Sequence, residues 1–456
     1  MFTGAKKTLN LTGGNVFKVL LLYSLPLFGS AVIQQVYSLA DFLIVGNFAK
    51  DGQAALTAVG EATTVVNVLL SFALGANGGC SVVVAKHFGK ADNVKVKETV
   101  NTALIAFSVL CLVTMAMGFA LCSPILKAMS VEEQFMADSK AYLYIYTGSL
   151  PFVFLYNLGC GISSSLGDSK TPFLFLVFSS VLNVVLDLIF VIVLHWDVAG
   201  AAWATFISQA IASVLTGAVI FKKLSYINVD EKVKKFDKTI LKDLTATTVP
   251  IILQQSFVSV GNVFVMNRIN VLGKDAAAGF TAAFKLICMA NMGVSSLTNG
   301  LANFVSQNRA AGNKQRIKQG FVAVFLYAVT TSIIFLSLFI GLARPLSKLF
   351  IDNPTEGAIE SSVRFLTVVS CFLPVVCLKI VSDGVLRGCG RNLGFTLSTC
   401  VDLALRVAFV YILTACGLGF NGVCYSWAIG WSVSMVVSII FYLCIKELRK
   451  VKYFGT

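Results

Sequence analysis

Apolar stretches of about 20 residues recur along this chain between short polar breaks, the length at which a helix crosses a hydrocarbon layer about 30 Å thick. The pattern predicts twelve membrane-spanning helices, at 16–48, 54–79, 98–122, 140–159, 172–194, 199–221, 245–271, 276–302, 319–342, 362–384, 393–415 and 420–445. The longest polar interruption, residues 222–243, falls between the sixth and the seventh. It divides the chain into an N-terminal lobe at 1–221, a linker loop at 222–243 and a C-terminal lobe at 244–456. The first apolar segment begins near Val16 and runs to about Phe48, too long for a signal-peptide core, and is read as a retained helix.

The halves repeat. Pro26 matches Pro250, and KDGQAALTA at 50–58 matches KDAAAGFTA at 274–282, both at an offset of 224. LPF at 150–152 answers LPV at 373–375, and Gly161 and Gly167 answer Gly384 and Gly390, all at 223. VAGAAWA at 198–204 falls against FNGVCYS at 420–426. The expectation is an all-α polytopic membrane protein whose two six-helix lobes are related by a pseudo-twofold axis around a central cleft. Pro26 and Pro250 sit early in the first and seventh spans, where a proline kinks the helix and supplies a hinge.

Composition fits this pattern: 57% of residues are hydrophobic and 13% charged, against about 25% charged in a soluble domain. A formal charge of +14 would point a soluble protein toward nucleic acid, but here it follows the topology. With the N-terminus inside, 25 of the 36 Lys and Arg residues fall on cytoplasmic segments, among them Lys6, Lys7, Lys446, Arg449, Lys450 and Lys452. Seven fall outside (Lys50, Lys127, Lys140, Lys274, Arg344, Lys348 and Arg364) and four within spans (Arg268, Lys285, Lys379 and Arg406). That asymmetry predicts both termini in the cytoplasm and a multi-pass protein of the inner (plasma) membrane, surrounded by lipid rather than bound to nucleic acid.

Twelve cysteines scattered through apolar segments read as small, buried, reduced thiols. His87 and His195 stand too far apart in sequence to suggest a zinc site. No phosphate-cradling GxxxxGK[ST] occurs, nor HExxH, GxSxG or a kinase set, so neither an ATP engine nor an enzyme class is indicated.

What remains is a set of polar groups at membrane depth, each costing about 2.5–3.5 kcal/mol if charged. Gln34 and Asp41, seven apart, share a face of the first span; Asn183 and Asp187, four apart, share a face of the fifth; Thr205 lies on the side of Ala201 in the sixth. At 1.5 Å per residue, Asp41 sits about 8 Å and Thr205 about 9 Å from the outer ends of their spans. Asn183 and Asp187 sit about 18 and 24 Å from the inner end of theirs, so all four reach the outer half. Two carboxylates sharing a low-dielectric pocket resolve their repulsion in one of two ways: one takes a proton, or a cation sits between them. Asp41, Asn183, Asp187, Thr205 and a backbone carbonyl make an oxygen cage suited to a hard cation such as Na⁺.

Other intramembrane charges have simpler accounts. Glu61 and Lys285 are repeat-equivalent and form a candidate gate pair at the outer mouth of the cleft. Lys379 with Asp383, and Asp402 with Arg406, are each four apart, which suits intrahelical neutralisation. The alternative is a polar C-lobe pocket for anionic or zwitterionic substrates.

From SLPLFGSAVIQQVYSLADFLIVG through ALTAVGEAT, NVVLDLIF, VAGAAWAT and FVSQNRAAGN to VLRGCGRN, the chain resembles the bacterial type of multidrug and toxic compound extrusion (MATE) transporter over essentially its whole length. The resemblance implies twelve helices in two V-shaped lobes and antiport of organic cations, drugs or toxic metabolites against H⁺ or Na⁺. It implies no cofactor beyond that ion, cationic amphipathic small molecules as substrates, and a monomer. Carried onto this chain, the N-lobe cation site falls on Asp41, Asn183, Asp187, Thr205 and the carbonyl of Ala201. Some relatives keep acids on helices seven and ten of the C-lobe. Here the seventh span carries Arg268 and the helix-ten position is Val376, which leaves the N-lobe as the better coupling site. The alternative is a lipid-linked glycan flippase of the same superfamily, a group with more helices and a more basic cavity.

Overall fold

A computed structural model describes residues 9–129, 131–227, 229, 231–351, 354–445 and 448. Lys6, Lys7, Lys446, Arg449, Lys450 and Lys452, which enter the charge argument for the termini, lie outside the described residues. The described residues are helical and contain no strand. In chain order the helices are α1 (Val16–Phe48), α2 (Gly52–Gly89), α3 (Asn93–Ala128), α4 (Glu133–Ser165), α5 (Lys170–Asp187), α6 (Asp197–Ser225) and α7 (Lys238–Val271). There follow α8 (Lys274–Ala310), α9 (Lys314–Gly341), α10 (Ala343–Phe350), α11 (Glu356–Ser370), α12 (Leu373–Gly388), α13 (Asn392–Leu413) and α14 (Gly419–Leu443). α5 runs on into wider π turns at Leu188–Val193, and α13 at Thr414–Leu418.

Among the described residues ten stretches are long and apolar enough to cross a membrane, and the α11–α12 pair, bent by 55°, makes an eleventh. One of the ten, Asn392–Leu443, holds 52 residues, about 78 Å of helix and more than two hydrocarbon thicknesses. Gly417, at φ 85°, breaks it into α13 and α14. The twelve spans read from hydropathy are thus present, with the tenth bent. The bend has a local cause: Pro374 occupies the first turn of α12, where its missing N–H costs nothing and it cannot continue α11. Side-chain caps start other helices. Asp51 Oδ1 accepts from Ala54 N–H at 3.1 Å, Asp92 Oδ1 from Lys95 N–H at 2.9 Å, and Thr355 Oγ1 from Ala358 N–H at 3.2 Å.

Packing groups the chain into two compact units. Among the described residues one is Pro26–Ile252 with Leu9 and Asn10; the other is Leu11–Leu25 with the residues from Leu253 onward. α1 therefore passes from the second unit into the first at Pro26, and α7 from the first into the second after Ile252, two residues beyond Pro250.

In the first unit α4 packs against α2, α3 and α6 around Val65, Leu69, Val100, Phe107, Leu143, Leu150 and Phe154. In the second, α8 packs against α9, α11 and α12, and α13 against α14, around a more aromatic core. Phe280 lies 5.1 Å from Phe365, and Trp427 lies 5.7 Å from both Phe365 and Trp431, centroid to centroid and edge-on. The two units use glycine alike. A Cβ at Gly161 of α4 would stand 2.7 Å from the Asn77 carbonyl oxygen of α2; one at Gly384 of α12 would stand 2.5 Å from Thr298 Cγ2 of α8. Gly167 (φ 85°) and Gly390 (φ 67°) each close the turn after those helices in the left-handed region.

The linker is not a free loop. α6 extends to Ser225 and α7 starts at Lys238, and the chain between is tied to α3. Buried Glu98 takes Lys234 N–H at 3.1 Å and Lys95 Nζ at 2.6 Å, while Asp237 N–H reaches Thr102 Oγ1 at 3.1 Å. Asp237 Oδ1 then accepts from Thr239 N–H at 2.8 Å and Ile240 N–H at 3.2 Å, capping α7.

Candidate functional site

Three polar side chains, Asp41, Asn183 and Asp187, and the backbone N–H of Thr205 meet where α1, α5 and α6 of the first unit come together. A small apolar cluster fixes the approach: Ile44 and Val45 of α1, Val59 of α2, Val191 after α5, and Val198 and Ala201 of α6. Asn183 and Asp187 share one face of α5, and both are buried. Asn183 satisfies both ends of its amide in one orientation, donating to Asp41 Oδ1 at 2.9 Å and accepting from Thr205 N–H at 3.3 Å.

Asp187 lies at the last α-helical turn before the π-wound Leu188–Val193. A π turn adds a residue per hydrogen-bonded ring and is a frequent mark of functional sites. Both Asp187 carboxyl oxygens are enclosed and meet no hydrogen-bond donor; what faces them is the Asp41 carboxyl. Two abutting carboxyls with an enclosed, unserved acceptor pair form an arrangement that a proton or a small cation completes.

Thr205, 8% exposed, sits at this junction, and its carbonyl takes the Ser208 hydroxyl at 3.0 Å. Ala201 packs its methyl in the apolar cluster. Gln34 is exposed on α1 and has no hydrogen bond to these four groups. Among the described residues no group of three or more His, Cys, Asp or Glu side chains is placed to hold a metal ion. Two facing carboxyls are oxygen donors of the kind a hard monovalent ion takes.

Sequence reasoning missed the tyrosines. Tyr37, one turn before Asp41, has that acid among its electrostatic neighbours, and Tyr142 on α4 has both acids among its own. Tyr142 stacks on Tyr146 at 6.5 Å. The (i, i+4) spacing of Tyr37 and Asp41 was a usable signal; nothing local marks Tyr142.

The remaining charges divide between the units. Glu61 is half-buried on α2 in the first unit, and Lys285 is exposed on α8 in the second. Within the second unit, Lys379 and Asp383 pair at 2.7 Å and Arg406 and Asp402 at 2.6 Å, all four buried. The Arg406 guanidinium lies 3.8 Å over the Trp427 ring. Arg268 donates from Nε to Thr414 Oγ1 at 2.7 Å, so a residue read as a departure from an acidic pattern fixes the π-wound end of α13. Pro26 and Pro250 lie within α1 and α7, at the turns where these helices change unit.

Comparison with known proteins agrees with this architecture. The MatE family model matches residues 26–189 and 250–412, one copy per repeat. "Probable multidrug resistance protein YpnP" of Bacillus subtilis is 27% identical over 438 residues, 96% of this chain and 97% of that one. "Multidrug export protein MepA" of Staphylococcus aureus is 21% identical over 94% of each chain. The fold matches a solved MOP superfamily transporter from Pyrococcus furiosus with a TM-score of 0.90, at 22% identity over 98% of this chain and 100% of the other. With both halves matched and the two repeats built alike, the chain belongs to the MatE family of multidrug and toxic compound efflux transporters.

Proposed function

We propose that this chain is a secondary antiporter that exports organic cations, drugs or toxic metabolites in exchange for H⁺ or Na⁺, with the exchanged ion held by Asp41, Asn183, Asp187 and Thr205. The reading rests on one observation above all: Asp187 is fully enclosed, its carboxyl oxygens meet no donor, and a second acid faces it. A site so built gains most from a mobile positive charge. The multidrug descriptions of the relatives YpnP and MepA support drug-like substrates for this chain.

In the proposed cycle the ion enters from outside and its binding drives substrate release there. Substrate then reloads from the cytoplasm or the inner leaflet after the ion has left inside. One elementary charge moving down about 100 mV supplies about 2.3 kcal/mol, enough for about a fifty-fold gradient of a neutral substrate. Exchange of one ion for one monovalent organic cation is electroneutral and draws on the ion's concentration gradient alone. Uptake of a fluorescent organic cation from the medium into everted vesicles tests the proposal, with ΔpH and Na⁺ gradients imposed separately. Transport driven by neither gradient would overturn it. Protection of cells against cationic dyes, with no rescue of a cell-wall precursor defect, separates it from glycan flipping.

A further inference from the structure

The second unit also buries an acid, and treats it differently. Asp383 of α12 is 3% exposed. Its Oδ2 accepts from Lys379 Nζ at 2.7 Å, and its Oδ1 accepts from Ser398 Oγ at 3.1 Å and from Ser438 Oγ. Lys379 Nζ donates in addition to Thr399 Oγ1 at 3.3 Å. A simple (i, i+4) pair on a helix surface needs none of those hydroxyls. Here two come from α13 and one from α14, and Ser398, Thr399 and Ser438 are themselves buried. Asp383 Oδ2 and Thr399 Oγ1 receive the ammonium, oxygen ligands of the kind a hard monovalent cation takes, while the two serine hydroxyls donate to the other carboxylate oxygen and hold it in place. In the first unit Asp187, equally enclosed, has neither ammonium nor hydroxyl on its oxygens. The same chain thus keeps one buried acid with a positive charge of its own and one without.

We propose that Asp383 and Thr399, with Ser398 and Ser438 fixing the carboxylate, form a monovalent-cation cage in the second unit that is permanently filled by the Lys379 ammonium. Lys379 is a tethered ion: it supplies the charge and N–H donors that a free ammonium or alkali ion would bring, and its covalent arm prevents exchange. Removing the arm beyond Cβ leaves a vacancy of the size and polarity of a primary alkylammonium. The cage stands on these contacts alone. Its consequence, that one exchangeable ion drives each cycle, rests on the antiport reading above.

The test is thermal unfolding of the purified full-length protein and of Lys379→Ala in n-propylammonium, sodium and tetramethylammonium chlorides at equal ionic strength. Propylammonium should raise the midpoint of Lys379→Ala by about 5 °C at about a hundredfold excess over its Kd. Tetramethylammonium, with no N–H to donate, should leave it unmoved, and sodium should act in proportion to its fit. The unsubstituted protein and the Lys379→Ala/Asp383→Asn double variant should respond to none of the three. If Lys379→Ala does not fold on its own, propylammonium present during purification should recover folded protein and tetramethylammonium should not. A folded Lys379→Ala indifferent to propylammonium, a double variant that responds as strongly, or an unfolded variant that propylammonium does not recover would each overturn the proposal. Binding is read here without transport, so the result is independent of whether efflux is ion-coupled.

Discussion

Asn183 donates to Asp41 across 2.9 Å while its amide oxygen takes the Thr205 N–H at 3.3 Å. One side chain of α5 therefore holds an acid of α1 and the backbone of α6 in register. Hydrogen bonds to charged groups contribute about 1.5–3 kcal/mol, which corresponds to about ten- to hundredfold in affinity. Asn183→Ala should raise the half-saturating concentration of the coupling ion by that factor, with substrate affinity measured in its absence unchanged. Unaltered ion dependence would remove Asn183 from the cage.

The two acids should each be indispensable. Asp41→Asn and Asp187→Asn are expected to reduce ion-driven efflux to the leak level while purified protein keeps its unfolding midpoint. Replacing one of two abutting carboxylates by an amide relieves repulsion, so Asp187→Asn should be no less stable than the parent. Coupled transport at parental rate in either variant, measured in everted vesicles, would show that the ion binds elsewhere.

Arg406 illustrates the opposite case, a charge whose removal leaves its partner stranded. Asp402 lies against Gly430, where an added Cβ would stand 2.6 Å from Oδ1, and it is paired with Arg406 at 2.6 Å. Arg406→Ala should cost about 3–5 kcal/mol, and Arg406→Met/Asp402→Asn should recover most of it. Equal losses in the single and double variants, compared by unfolding in detergent, would assign the cost to lost stacking on Trp427 rather than to the buried acid.

Gly161 and Gly384 test the repeat. Each lies where a methyl group meets the neighbouring helix, at 2.7 Å from the Asn77 carbonyl oxygen and 2.5 Å from Thr298 Cγ2. Gly161→Ala should cost about 1–3 kcal/mol. Gly384→Ala should cost a similar amount, because buried Thr298 is held by its hydroxyl on the Val294 carbonyl at 2.9 Å and its own carbonyl oxygen stands 3.1 Å from the added Cβ. Expression level and unfolding midpoint read both; a clearly smaller loss at Gly384 would show that the Thr298 side chain turns aside.

Acid should loosen the loops before the core. Burial pushes Asp168 up, but its hydrogen bonds to Lys223 and Thr171 outweigh this and hold its carboxyl below the ordinary range. Backbone N–H groups of Ile240 and Thr239 draw Asp237 down to about 2. A carboxylate depressed in the folded state stabilises fully above its unfolded value, about 4, and loses that contribution as pH falls through the folded value. The unfolding midpoint should therefore fall between about pH 4 and pH 2, and Asp168→Asn should flatten the upper part of that fall. Parallel curves for the parent and Asp168→Asn would remove Asp168 from the account.

The spans were legible because a hydrocarbon layer imposes a length, and the repeat because helix crossings and left-handed turns demand glycine at matched places. Asp41, Asn183 and Asp187 were legible because charge and amide are costly in apolar helices and stand out there, whereas Thr205 was singled out by its side shared with Ala201 and by the family resemblance. Gln34 shares a face with Asp41 on an ideal helix, yet it is exposed: seven residues drift by about 20°, and little of α1 is buried. Ser398, Thr399 and Ser438 escaped notice for the converse reason. Hydroxyls are common in apolar helices, where they bond their own preceding carbonyls. Their service to Asp383 exists only once α12, α13 and α14 are together. The bend between α11 and α12 needed the same information, although Pro374 marked its position.

The exchange of helix segments at Pro26 and Ile252 bears on how such a protein arises and how it can be cut. Leu11–Leu25 belongs with the second unit, while Lys238–Ile252 belongs with the first. A gene divided inside 226–237 would yield two polypeptides that each carry a stretch of helix needed by the other's unit. Neither half is then self-sufficient, so the duplication is covalently entangled. A half-length forerunner of this architecture could have worked only as a pair of chains lending each other the ends of their first helices.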